Sequence, residues 1–97
     1  MEIKAAGRVK AGVLEAGYSS HGVNFDAKSG RIVFPNNERH GYTALVSNSA
    51  EEPYITTTHW VAEFGPNYIV VKQHALDTGG AGRTFPASDF TFAIIIV

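Results

Sequence analysis

Apolar side chains alternate with polar ones in short stretches, and few stretches carry an apolar face at helical spacing. Val23 and Phe25 share one face of an extended Tyr18 to Asp26. Arg31 to Phe34 reads as a short strand ended by Pro35, with a hairpin turn at Ala27-Lys28-Ser29-Gly30 before it. Tyr42 to Ser47, Tyr54 to Ala62 and Tyr68 to His74 follow as strands, the last two joined by the turn Gly65-Pro66-Asn67. Leu76 to Ser88 is expected to be a long loop, and Asp89 to Val97 the final strand. The opening, Met1 to Glu15, holds Ile3, Ala6, Val13 and Leu14 at positions that one helical face could share. Gly7 and Gly12 oppose a helix, at about 1 kcal/mol each relative to Ala, so an extended strand with glycine kinks is expected.

Residue choice strengthens that pattern. Nine Val, seven Ile and seven Thr stand against three Leu, with six Phe, four Tyr and one Trp. Branched and aromatic side chains suit a pleated, half-buried surface. Ten Gly and four Pro supply the turns. The expected fold is therefore all-β: one domain over residues 1–97, an antiparallel β-sandwich of jelly-roll type with about eight strands. The candidate core is Phe25, Phe34, Trp60, Phe64, Phe90 and Phe92.

Charge and cysteine content narrow the chemistry. Eight Lys and Arg against nine Asp and Glu leave a net charge of −1, which does not fit a dedicated nucleic-acid binder. With no Cys, disulfides, thiolate metal sites and cysteine nucleophiles are excluded. The longest apolar run, Ala93 to Val97, is too short to cross a bilayer as a helix, and neither a membrane partner nor a signal peptide is expected.

Candidate chemistry fails on spacing. Thr78-Gly79-Gly80-Ala81-Gly82-Arg83-Thr84 has the look of a phosphate loop, but Asp77 stands where the first Gly belongs and Arg83 where Lys belongs. Pro86 follows instead of a helix N-terminus. His21, His40, His59 and His74 show no metal-ligand spacing, which leaves two of them gathered by the strand pairing or three copies of one His across a threefold axis. Ser19-Ser20-His21 and Ser49 lack a nucleophile elbow. Glu51 and Glu52 are neighbours in a polar loop, where both are solvated. No catalytic residue, cofactor or metal is expected. Tyr18, Tyr42, Tyr54, Trp60 and Tyr68 could instead build a stacking surface for sugars.

The C-terminal strand carries the most information. Phe90, Phe92, Ile94 and Ile96 share one face, while Ala93, Ile95 and Val97 make the other apolar as well. A two-layer sandwich covers one face of a strand, so the second calls for a protein neighbour, or else for cover by one of the long loops. A homotrimer with Ala93, Ile95 and Val97 at the subunit boundary is the expected assembly. The polar loops, with Asn36, Asn37, Glu51, Glu52 and Arg83, are the expected contacts to other partners.

The order Ala11-Gly12-Val13, Gly22-Val23-Asn24-Phe25, Gly30-Arg31-Ile32-Val33-Phe34, then Asn67 to Val71 and Asp89 to Ile95, resembles a small β-sandwich module of tailed bacteriophages. That module occurs in capsid decoration proteins and at trimeric tips of tail fibres and needles. The resemblance implies a virion protein that works by binding and not by catalysis. The chain shows no heptad stem. As a freestanding product it suits a cement protein bound between coat subunits. The alternatives are a fibre or needle tip binding a host receptor, or a lectin binding a surface glycan, with an enzyme third.

Overall fold

The computed structural model describes residues 2–36, 41–48, 56–76 and 82–96. Nine strands run through them and pack as a sandwich of two antiparallel sheets. The first sheet has the order β2-β1-β9-β5, from β1 (Glu2–Lys10), β2 (Val13–Leu14), β5 (Thr43–Asn48) and β9 (Phe90–Ile96). The second has the order β3-β4-β7-β6, from β3 (Asn24–Asp26), β4 (Arg31–Val33), β6 (Thr56–Phe64) and β7 (Tyr68–Leu76), with β8 (Gly82–Pro86) also on β7.

The extended reading of the opening holds, but the segment is two strands. Lys10 pairs with Val13 across a two-residue turn in which Ala11 has φ 53° and Gly12 φ 77°. Two positive φ values match the twist of a hairpin. The turn is fastened to the start of β9: Gly12 N–H donates to the Ser88 carbonyl at 3.0 Å and Ala11 N–H to Asp89 Oδ1 at 3.1 Å.

The core lies between the sheets. Val9, Ile32, Phe34, Ile69, Val71, Phe90 and Ile94 are fully enclosed. Phe25 meets Phe90 edge-on at 5.9 Å between centroids, and Phe34 meets Tyr42 at 5.1 Å. The Tyr42 hydroxyl reaches the carbonyls of Gly65 (2.6 Å) and Tyr68 (2.9 Å), which secures the β6–β7 turn from below. Gly30 closes the β3–β4 hairpin with φ 76° and lies directly on β7.

Three expectations are corrected. Leu76 to Ser88 is not one loop: residues 82–86 pair with 72–76 as β8, because alternating Thr84, Phe85 and Pro86 meet the edge of β7 in register. Trp60 and Phe64 are not core residues, being 38% and 60% exposed. In β6 the inward position goes to His59, which turns Trp60 outward, and a bulge between Val61 and Glu63 then shifts the end of the strand. Asn36 is not an open loop contact. Its side chain is buried and its Nδ2 donates to the Pro66 carbonyl at 2.8 Å.

Candidate functional site

The alternation in β9 divides its side chains as expected from the sequence. Phe90, Phe92 and Ile94 enter the core, while Thr91, Ala93 and Ile95 face away from it. Strand pairing extends that outward row across the sheet. Ile95 stands between Ile3 and Thr43, Ala93 between Ala6 and Leu45, and Thr91 between Arg8 and Ser47. Ile3 is 65% exposed and Leu45 55%. The result is an apolar outer face with Ile3, Ile95 and Leu45 as its large side chains. A shallow groove of about 340 Å³ runs between β5 and β9, lined by Leu45, Val46, Ser47, Thr91, Phe92 and Ala93.

One end of this face is polar and closed on itself. Ser47 and Thr91 join hydroxyl to hydroxyl. Arg8 Nε and Nη2 donate to the two carboxylate oxygens of Glu15 at 2.9 Å each, and its guanidinium lies 3.8 Å from the Tyr18 ring centroid. These hydrogen bonds from Arg8 hold the Glu15 carboxyl below its ordinary range, and the same contact raises the Arg8 pKa.

Among the described residues, the chemistry-bearing side chains do not converge. His21 is exposed in a turn, His74 Nδ1 lies 3.1 Å from Thr84 Oγ1 on the outer side of the second sheet, and His59 points into the sandwich. No group of three or more metal-ligating side chains occurs among the described residues. Ser88 Oγ donates to Asp89 Oδ2, and Asp89 also fastens Ala11, so this pair ties the β1–β2 turn to β9. Tyr18, Tyr42, Trp60 and Tyr68 occupy separate places: over Arg8, beneath the β6–β7 turn, on the outer side of β6, and against Arg31 at 4.3 Å.

Sequence reasoning weighed His59 only as a metal ligand and did not single out Gln73, with which it forms a cross-strand pair inside the sandwich. Gln73 is fully buried; its Oε1 accepts from Ser88 N–H at 3.2 Å while its Nε2 has no hydrogen-bond partner among the described residues. Both ring nitrogens of His59 are shielded from solvent and without a hydrogen bond of normal geometry. Desolvation lowers the His59 pKa; the nearby Gln73 side chain and Asp89 only partly oppose it.

Of the residues expected at a subunit boundary, Ala93 and Ile95 stand on the outer face, and Val97 lies outside the described residues. Among the expected contact residues, Arg83 is exposed on β8 with its guanidinium 5.3 Å from the Phe85 ring centroid. Asn37, Glu51 and Glu52 lie outside the described residues, as do His40 and Tyr54. Ile3 and Leu45 were not anticipated. Their exposure depends on which side of β1 and β5 meets the core, and only the pairing with β9 reveals that. Comparison with protein-family models, with curated proteins and with solved structures found no match.

Proposed function

We propose that the protein is a structural component of a virus particle, a capsid decoration protein that works by binding and carries out no catalytic step. The observation that carries this reading is the outer face of the first sheet. Ile3, Leu45, Ala93 and Ile95 form an apolar surface that a neighbouring protein would cover. Self-association would bury part of it, and a homotrimer is one closed arrangement that does so. Packing of the remainder against coat subunits would add interface between them and stabilise the shell.

The test is to mix the purified protein with undecorated capsids and to measure co-sedimentation and the shell's melting temperature. Binding with a raised melting temperature supports a decoration role, and Ile95→Asp should abolish that binding while leaving the fold intact, because Ile95 faces away from the core. Absence of binding to any capsid type overturns the reading.

A second reading, glycan or receptor binding at a fibre tip, is favoured by a different surface. Trp60 stands on the outer side of the second sheet in one row with Lys72 and Pro86, beside the row Thr58, His74 and Thr84. An indole next to hydroxyl and amine groups is a stacking platform for a sugar. Saturable adsorption to glycans that Trp60→Ala removes would select this reading over the first.

A further inference from the structure

We propose that the outer face of the second sheet binds an acidic saccharide, the sugar ring lying on the Trp60 indole and its carboxylate meeting the Lys72 ammonium. The inference rests on the second reading above, glycan binding, and adds to it the class of sugar. The face lies on the other side of the sandwich from Ile3, Leu45 and Ile95.

Strand pairing builds the face. Ile69, Val71 and Gln73 of β7 are buried in the core, so Val70, Lys72 and His74 turn outward between them. Trp60 and Pro86 flank Lys72 in one row, and Thr58 and Thr84 flank His74 in the next. Trp60 is 38% exposed, and Thr58, Lys72 and Thr84 are exposed as well. A large ring carried by a strand gives broad contact area and loses little freedom when a ligand lies on it. The His74 ring is held by Thr84, with Nδ1 and Oγ1 3.1 Å apart, which leaves Nε2 for a ligand. Neighbouring strands are about 4.8 Å apart and residues two places along are about 6.6 Å apart. One sugar ring on Trp60 therefore places its rim beside Lys72, His74 and the Thr58 hydroxyl. A pyranose offers apolar C–H groups to an indole and hydroxyls at its rim, which suits a ring bordered by hydroxyl and imidazole groups.

Charge selects the class of sugar. Opposite charges on neighbouring strands stabilise a sheet, and Lys72 has no carboxylate beside it in its own row or in the row of His74. The acids of this face, Glu63 and Asp26, stand in the row of Val70 and Arg31. Both are engaged there. Glu63 Oε1 accepts from the Tyr68 hydroxyl at 2.9 Å, and Asp26 accepts from Lys28 N–H at 3.0 Å and from Ser29 Oγ at 3.2 Å. Arg31 in that row lies over the Tyr68 ring. Among the described residues the Lys72 ammonium makes no ion pair, although it stands at the centre of the face next to the one Trp of the chain. A carboxylate on the sugar supplies the missing partner through a charge-assisted hydrogen bond.

The emission of Trp60 reports occupancy without a label. Two carboxylated saccharides of different origin, trigalacturonic acid and sialyllactose, are each compared with a neutral partner, the methyl ester and lactose. At least one acid should shift the emission saturably and bind about 5-fold or more tighter than its neutral partner at low salt, and the pair that responds identifies the source. The preference should shrink toward unity at about 0.5 M NaCl. Lys72→Gln should lose the preference and keep the affinity for the neutral partner; Lys72 is exposed, and an unchanged melting temperature shows that the fold is intact. Trp60→Ala should remove binding of both partners in calorimetry. Equal affinity for acid and neutral sugar overturns the inference and leaves the glycan reading standing, whereas no saturable response to any of the four saccharides overturns both. A thymidine oligonucleotide bound more tightly than the acids also overturns it, since a stacked base and a phosphate would then be the occupant.

Discussion

Replacing Gly30 by Ala is the sharpest test of the packing between the β3–β4 hairpin and β7. Gly30 has φ 76°, and a Cβ built there falls 2.3 Å from the Val71 carbonyl oxygen. The left-handed conformation costs a residue with a Cβ roughly 1–2 kcal/mol. The overlap is with backbone, so no side chain can rotate away. Val71 is held on both sides, its N–H donating to the Gly30 carbonyl at 2.9 Å and its carbonyl accepting from Ala87 N–H at 3.0 Å. Moving it weakens two hydrogen bonds, each worth about 1 kcal/mol. The loss of unfolded-state freedom on replacing Gly offsets about 0.4–1 kcal/mol. The expected net destabilisation is about 2–4 kcal/mol, a large part of the roughly 5–15 kcal/mol that holds a domain folded. Gly17→Ala is the control: its Cβ meets nothing within 4 Å and its φ is not positive, so its stability should be unchanged or slightly raised. Urea unfolding at pH 7.5, with equal slopes for the three proteins, measures both differences. If Gly30→Ala lies within 1 kcal/mol of Gly17→Ala, the described contact between hairpin and β7 is wrong.

Four other outcomes are expected. His59 has a folded pKa below its ordinary value because burial disfavours the charged ring. The unfolded chain therefore binds the proton first, and stability should fall as pH drops below about 6.5. His59→Leu should flatten that part of the profile and raise stability at pH 7 by about 1–2 kcal/mol, by removing shielded nitrogens that make no hydrogen bond of normal geometry among the described residues. A separate loss below about pH 4.5 should remain, because Glu15 is held ionised by Arg8; unfolding midpoints between pH 8 and 3 distinguish the two. Ala11→Asn should stabilise by about 0.5–1 kcal/mol, since Asn tolerates the positive φ that Ala11 adopts in the hairpin turn; thermal unfolding reports it. Tyr42→Phe should lose about 1–2 kcal/mol, as the Gly65 and Tyr68 carbonyls give up a buried donor, and exchange of the turn amides should rise.

Strand identity was readable along the chain because a strand needs only local information: alternation, branched side chains and a turn residue at each end. Arg31 to Val33 ended by Pro35, the turn at Gly65 to Asn67, and the two-faced β9 were all accessible in this way. So was the sandwich class, which follows from many short strands in so few residues. Tertiary structure decided which side of each strand is inside. Nothing local tells His59 to enter the core and Trp60 to leave it; pairing with Gln73 and Lys72 of β7 settles that, and the following bulge leaves Phe64 exposed. β8 was hidden because a five-residue strand of Gly, Arg, Thr, Phe and Pro has weak propensity, and it exists by joining the edge of β7. The candidate site divides the same way. Ala93 and Ile95 could be read from a strand apolar on both faces. Ile3 and Leu45 become part of one surface only when β1 and β5 flank β9, since a surface is made by residues far apart in the chain that pairing brings side by side.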